Sequence, residues 1–437
     1  MTMLDRFRPY AAPAVLAVAL SALLACDAVK NPLDVEASSR IPAENVEVPA
    51  NAQLLVDGTS ADFECALAAY IVQGGEVGEE FIYAGQTADR LPPDQRIASA
   101  NDARYATNSC VGLGIYGPLQ TARSSAETII SYLRGWTDAQ VSGNRQQMIA
   151  TASAYGGYAY VLLGEGFCSL AFSKINPDRS IAYGGEVSRD STLRLAVTRF
   201  TEAIAAAQAV TPATTLSTDI LRMSYLGRAR AKLNLRDYAG AKADAQQIPA
   251  GYVRNATYSG TVPRRNNLVF NENALSNTQS SVGEPYRTYS ASDPRVPLVQ
   301  TNTISTSGIR HWYQTKYATV GAPIPIATYE EAQLIIAEAD IRAGSLATAL
   351  PIIAAQRTRG NQGAFTGTTQ AEYLAELVDQ RRRELFLEGH QLGDIIRYGT
   401  ALLPVAGTPY HFGGTYGSQI CFPLPSAERL NNPLIGS

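Results

Sequence analysis

The sequence predicts a mainly α protein: a scaffold of paired helices carrying an irregular, loop-rich face. Three observations predict it. Over 61–246 and 328–400 apolar residues recur at spacings of three and four, the period of an amphipathic helix. The helical segments come in close pairs, with Gly and Ala where neighbours would meet. Between 247 and 327 the period fails, and Pro, Thr, Ser, Asn and Tyr take over.

The amino terminus carries a basic head, Arg6 and Arg8, and then an uncharged run from Ala11 to Ala25. That layout is a secretory signal, and the run is too short to span a bilayer, which needs about 20 residues. Leu23-Leu24-Ala25-Cys26 closes it and resembles the bacterial lipobox, in which the chain is cut before the Cys and the new terminus is acylated. The resemblance implies a signal peptide over 1–25, lipidation at Cys26 and a body tethered outside the cytoplasm; two or more acyl chains anchor stably. Residues 26–60, with Pro32, Pro42 and Pro49, read as a tether and extended lead-in.

Helices are predicted over 61–73, 116–135, 138–164, 191–209, 217–233, 237–246, 328–343, 346–358 and 369–396, separated by Gly, Pro and Asn clusters. In 191–209, Leu193, Val197, Phe200, Ile204 and Ala207 form one stripe. Leu226-Gly227 leads through Ala231 and Leu235 to Asp237-Tyr238-Ala239-Gly240-Ala241, which looks like a degenerate tetratricopeptide hairpin. Glu331 to Gly344, followed by Leu346 to Arg357, looks like a second, and 116–135 with 138–164 a third. The span 247–327 is too long for a plain loop, and so is either a functional insertion or a second, irregular lobe. The region 401–437 is also loop-rich, with Gly407, Gly413, Gly414 and Gly417.

Composition narrows the function. A net charge of −3 argues against nucleic acid as a partner. Charged residues make up only 17%, and 23 Tyr stand against two Trp, so polar and tyrosyl surface must do much of the contact work. Besides Cys26 the chain has Cys65, Cys110, Cys168 and Cys421, an even number that suggests disulfides in an exported protein. Three pairings are possible, sequence alone does not choose among them, and Cys65–Cys110 with Cys168–Cys421 is the preferred one. No C-x-x-C or clustered His points to a metal, and no cofactor is implied.

Enzyme signatures are missing. His311, His390 and His411 sit in no H-E-x-x-H spacing, and there is no G-x-S-x-G elbow or P-loop. Gly112, Gly114 and Gly117 fit G-x-G-x-x-G, but polar Thr107-Asn108-Ser109-Cys110 precedes them, so they read as a loop before a helix. Scattered carboxylates could pair only in space. The chain is read as a binding protein without catalytic residues.

Arg381-Arg382-Arg383-Glu384-Leu385-Phe386-Leu387-Glu388-Gly389-His390, then Asp394 and Arg397, reads as a charged structural helix with Leu385 and Phe386 buried and Arg381 able to pair with Glu384. The string also resembles the hallmark of the SusD/RagB family. Ala327 to Ala339 is similar to that family's repeat helix, and Ala154-Tyr155-Gly156-Gly157-Tyr158 to Gly164 is similar to its early helix. Phe422-Pro423-Leu424-Pro425 to Pro433 is similar to its carboxy-terminal segment, and Cys26 to its lipid anchor. The matches run in the family's order over nearly the whole chain.

The resemblance implies a SusD-like fold and an outer-membrane lipoprotein, exposed at the cell surface, that lies as a lid over a TonB-dependent, SusC-like transporter. It would capture an oligosaccharide or peptide and pass it on. Cys168 and Cys421 flank two of the matched segments, so a bond between them would clip distant parts of the chain together. Glu79-Glu80-Phe81 falls where the family often faces ligand.

Sugars need flat aromatic faces and planar polar groups. The best cluster is Arg310-His311-Trp312-Tyr313 with Tyr286 and Tyr289, so Arg310, Trp312, Tyr313, Tyr286 and Tyr289 are the candidate ligand-binding residues. Trp312 is either a stacking platform or the core of its lobe. Trp136, at a helix end, reads as structural, and Asp293-Pro294-Arg295 as a structural salt bridge in a turn. The alternative function is a self-assembling helical-repeat surface scaffold or filament subunit, which the low charge and Tyr-rich surface permit.

Overall fold

The computed structural model describes residues 46–436 apart from 177, 179, 275–278 and 290. The predicted signal peptide, Cys26 and most of the predicted tether lie outside the described residues. Pro49–Ser437 forms one compact unit.

The helical scaffold is built from α1 (Ala52–Val77), α2 (Tyr116–Gly135), α3 (Arg145–Gly166), α4 (Arg189–Gln208), α5 (Thr215–Asn234), α6 (Tyr238–Ala245), α7 (Tyr329–Arg342), α8 (Leu346–Arg359), α9 (Gln370–Glu384) and α10 (Gln391–Tyr398). Successive helices from α2 to α6 pack on one another, α6 packs on α7, and α7 packs on both α8 and α9. Side-chain caps start several of them. Asn144 accepts the Gln147 N–H, Thr328 accepts that of Glu331, and Thr214 and Thr369 form reciprocal capping boxes.

Small residues do set the closest approaches. Phe200 of α4 is fully buried. A Cβ at Gly157 of α3 would lie 2.8 Å from its ring, and one at Gly227 of α5 would lie 2.2 Å from it. The ring therefore fills the gap that these two glycines leave, with Tyr158 edge-on at 5.0 Å. One large core runs through α1–α6 and on into residues 252–326, and a smaller one joins α7, α8 and α9. The irregular stretch is thus a lobe sharing the main core.

Three helix expectations need correction. The tether was expected to reach residue 60, but α1 begins at Ala52, because Ala52, Val56, Thr59 and Phe63 already form a buried stripe. The third helix starts at Arg145, with Asn144 as its cap, so 138–144 is turn. The single helix over 369–396 is two: α9 stops at Glu384, and Leu387 (φ 56°) and Gly389 (φ 77°) turn the chain before α10. Left-handed backbone at two nearby residues cannot continue an α-helix.

Among the described residues ten short strands pair antiparallel: β1 (Phe81–Tyr83), β2 (Ser169–Ala171), β3 (Lys174–Ile175), β4 (Ile181–Ala182), β5 (Glu186–Ser188), β6 (Val253–Ala256), β7 (Ser280–Val282), β8 (Leu298–Ile304), β9 (Arg310–Gln314) and β10 (Ile324–Thr328). The pairs are β1–β7, β2–β5, β3–β4, β6–β10 and β8–β9. Phe81 faces Val282, and Gln300 faces Trp312.

The preferred disulfide pairing is the one present. Cys65 of α1 joins Cys110 (Cα–Cα 5.8 Å), and Cys168 joins Cys421 (5.2 Å). Around the second bond the Cys168 N–H donates to the Phe422 carbonyl at 2.9 Å, and the Phe422 N–H donates to that of Gly166 at 2.8 Å. Gly112 and Gly114 lie in the loop before α2, where a Cβ at Gly114 would sit 1.8 Å from the Asn108 carbonyl. Trp136 stacks on Tyr132 at 5.6 Å, a structural contact.

Candidate functional site: the face carried by β7, β8 and β9

The turn between α9 and α10 fixes the irregular lobe. Phe386 is buried and stacks on Tyr286 at 4.9 Å. Three polar groups, Glu80 before β1 and Lys316 and Tyr317 of the lobe, bond to the turn's backbone. The Glu80 carboxylate accepts the Leu387 N–H at 2.7 Å, the Tyr317 hydroxyl donates to the Leu387 carbonyl at 3.0 Å, and Lys316 Nζ donates to the Phe386 carbonyl at 2.8 Å. Lys316 also pairs with Glu388 at 2.7 Å.

The arginines preceding the turn reach in three directions. Arg381 is buried and makes a two-pronged pair with Asp394 (2.7 and 2.9 Å), which Arg397 also contacts at 2.7 Å. Burial opposes ionisation of Asp394, but Arg381 and Arg397 outweigh it and hold the carboxyl below its usual range. The expected Arg381–Glu384 pair does not form. Arg381 points inward, and Glu384 pairs instead with Arg295 at 3.3 Å and Arg359 at 2.8 Å. Arg382 pairs with Glu79 at 3.1 Å, and Arg383 pairs with Asp293 at 3.2 Å and Asp379 at 2.7 Å. Arg295 forks onto Asp293 at 2.9 and 2.7 Å, so the Asp-Pro-Arg turn is the structural bridge its sequence suggested.

Two carboxyl groups beside the turn are raised to about 7. Burial is the main cause for Glu79 and for Glu80, against the pull of Arg382 and Arg96 on the first and of the Leu387 N–H on the second. Glu79 also accepts the Leu403 N–H. His390 is buried, and its burial with nearby Arg230, Arg381 and Arg397 keeps it neutral.

Side chains stitch β9 onto β7. Ser281 Oγ accepts the Trp312 N–H at 2.9 Å and donates to the Arg310 carbonyl at 3.1 Å. Asn273 Nδ2 donates to the Ser280 carbonyl at 2.7 Å and the Trp312 carbonyl at 3.1 Å, while its Oδ1 accepts the Gln314 N–H at 2.7 Å. The backbone under Trp312 is therefore fixed.

The predicted site residues do not act as one cluster. Strand alternation sends Arg310 and Trp312 to one face of β9 and His311 and Tyr313 to the other. His311 is buried, and its ring lies near-parallel to that of Tyr313 at 6.3 Å. Trp312 is half-buried, with the Arg287 guanidinium 5.8 Å from its ring. Arg310 donates to the Thr301 carbonyl at 3.0 Å and pairs with no carboxylate among the described residues. Tyr286 is fully buried against Phe386, so it is a core residue and not a ligand platform. Tyr289 is half-buried and has one face covered by Arg383 at 3.9 Å.

Sequence reasoning missed two parts of the face. Arg287 was passed over between two tyrosines. The loop-rich end places His411 against β1, with Nε2 3.1 Å from the Tyr83 carbonyl, and half-buried Phe412 4.6 Å from the His411 ring. The only signal was an aromatic run, Tyr410-His411-Phe412, before two glycines. A cleft of about 640 Å³ is lined by other residues, from α1, α3 and β6. No group of three or more His, Cys, Asp or Glu that could hold a metal occurs among the described residues, and no described helix is long and apolar enough to cross a membrane.

The SusD family model matches residues 220–424, from α5 through the Arg-rich turn to the Phe-Pro segment. Over this span, just under half of the chain, the sequence is similar to the SusD family. Its fold agrees over a wider span. A SusD superfamily protein from Bacteroides fragilis is similar at TM-score 0.66 and 15% identity, covering 89% of this chain and 99% of that one. One from Bacteroides vulgatus gives 0.65 and 15%, covering 88% and 97%. A protein from Bacteroides vulgatus described as a SusD-like carbohydrate-binding protein gives 0.63 and 14%, covering 82% and 84%. No curated protein matches the sequence. The matched span includes the turn between α9 and α10 that anchors the lobe bearing Trp312.

Proposed function

We propose that this protein is a cell-surface lipoprotein of the outer membrane that captures a glycan or peptide nutrient and passes it to a TonB-dependent, SusC-like transporter, without catalysing a reaction. The observation that carries the binding step is the half-buried Trp312 ring, backed by Arg287 and standing on a strand locked to the lobe through Ser281 and Asn273. An indole face on fixed backbone suits a sugar ring, whose C–H face stacks while its hydroxyls reach planar polar groups such as Arg310. The carbohydrate-binding description of the Bacteroides vulgatus protein of like fold supports the glycan over the peptide. The lipobox-like Leu23-Leu24-Ala25-Cys26 supports the anchor.

The test is calorimetric titration with oligosaccharides from the source organism's growth substrates. Trp312→Ala should lose affinity by about tenfold or more while thermal unfolding stays put. Unchanged affinity in both Trp312→Ala and Arg287→Ala would remove this face from the account.

A further inference from the structure

We propose that the protein carries a second small-molecule site, in the cleft between the first halves of α1 and α3 and the strand β6, that takes a neutral saccharide of one or two rings. The cleft encloses about 640 Å³, inside the roughly 300–1,000 Å³ typical of ligand sites. It is separate from the Trp312 face. Its α1 wall ends near Glu64, whereas β1 begins at Phe81 beyond the other end of that helix, which runs about 20 Å further at the helical rise before it stops at Val77. The inference does not rest on the reading of the Trp312 face.

The walls are polar where a helix pair would ordinarily meet through apolar stripes. On α1, Gln53, Asp57, Ser60 and Glu64 line the cleft at spacings of four, three and four. On α3, Gln147, Thr151 and Tyr155 do so at spacings of four. From Phe63 onward α1 is wholly buried. Along this stretch the facing side chains line a space, and the helices pack directly only further on, where Phe63 meets Tyr155 at 5.6 Å.

The charges select the ligand class. Arg254 is neutralised by Asp219 at 2.7 Å and donates to the Tyr155 hydroxyl at 2.9 Å. Arg265 is neutralised by Glu64 at 2.9 Å and donates to the Thr257 carbonyl at 2.7 Å. Neither guanidinium is left over for an anion, and the remaining Asp57 carboxylate, bonded by Gln53 at 2.8 Å, repels one. An uncharged ligand rich in hydroxyls can use the open edges of these pairs and the Gln147 and Asn255 amides without stranding a charge. Leu216 and Val253 stand 37% and 48% exposed in the lining and offer apolar contact for a sugar's C–H face.

The experiment is saturation-transfer NMR and calorimetry on the full chain with maltose, cellobiose and lactose, and with glucuronic acid as the charged control. The variants are Asn255→Trp and Ser60→Trp, which fill the cleft from opposite walls, Gln147→Ala, which only trims it, and Trp312→Ala. At least one disaccharide should bind the wild type and Trp312→Ala alike, each cleft variant should weaken it by about tenfold or more with thermal unfolding unchanged, and glucuronic acid should not compete. Gln147→Ala decides if a filling variant fails to fold. The site is overturned if none of the three disaccharides binds, if binding survives the cleft variants, or if it vanishes with Trp312→Ala alone. Preferential binding of glucuronic acid would overturn the neutral class. Loss in the cleft variants only would leave the Trp312 reading to its own test.

Discussion

The Glu80 carboxylate accepts the backbone N–H of Leu387 at 2.7 Å, across 307 residues of chain. It joins the strand that edges the candidate face to the turn that ends α9. Glu80 has no ion pair among the described residues, and its side chain is buried, so the bond is made by a carboxyl group raised from 4.5 to about 7.

That shift fixes a pH dependence. Between pH 4.5 and 7 the folded protein keeps a proton on Glu80 that the unfolded chain has released, so stability falls as pH rises across this window and levels off above it. The share from this group is on the order of 3 kcal/mol. Glu80→Gln keeps an acceptor for Leu387 and removes the titration. It should match wild type near pH 4.5 and exceed it at pH 8 in thermal unfolding. Parallel curves for the two proteins would contradict the assignment.

A second prediction concerns the helix seam. Phe200 fills the space beside Gly227, and a Cβ there would lie 2.2 Å from its ring. Gly227→Ala should destabilise by about 1–3 kcal/mol through overpacking, despite alanine's better helix propensity. Phe200→Leu in the same chain should recover part of that loss, whereas by itself it should only cost stability. Denaturant midpoints of the three variants check this, and additive effects would argue against direct contact.

Much of this seam was legible in the sequence, and the failures have physical reasons. The stripe Leu193, Val197, Phe200, Ile204 and Ala207 located α4, because a helix buried on one side must repeat its apolar residues at its own period. Residues 52–60 of α1 read as tether because Gln53, Asp57 and Ser60 put a polar stripe where an apolar one marks a helix. Leu385, Phe386 and Leu387 look like a continuing stripe, yet Leu387 and Gly389 take positive φ, which composition does not reveal. Within the site, proximity in sequence to Trp312 suggested Tyr286. The stacking of Phe386, a hundred residues away, placed that ring in the core.

Tyr286 and Trp312 should therefore behave oppositely on truncation. Tyr286→Ala empties a core position and should cost about 3–5 kcal/mol. Trp312→Ala should leave stability nearly unchanged and reduce ligand retention. Paired unfolding and binding curves separate the two, and a large stability loss for Trp312→Ala would make it the core of its lobe.

The Cys168–Cys421 bond closes a loop of 253 residues and ties the end of α3 to the Phe-Pro segment. Replacing both cysteines by serine should cost about 2–5 kcal/mol, read as a lower denaturant midpoint under oxidising conditions. Reductant should lower the wild-type midpoint toward that of the variant. A variant as stable as wild type would show that the parallel Phe167–Phe422 pairing suffices without the bond.

The central claim is capture for a transporter, and the most direct measurement is gentle solubilisation of native membranes, recovery of this protein and mass spectrometry of what accompanies it. The account predicts a large TonB-dependent outer-membrane barrel in near-equal amount. Recovery of the protein alone, or as a regular polymer of itself, would contradict it and point to the self-assembling surface scaffold.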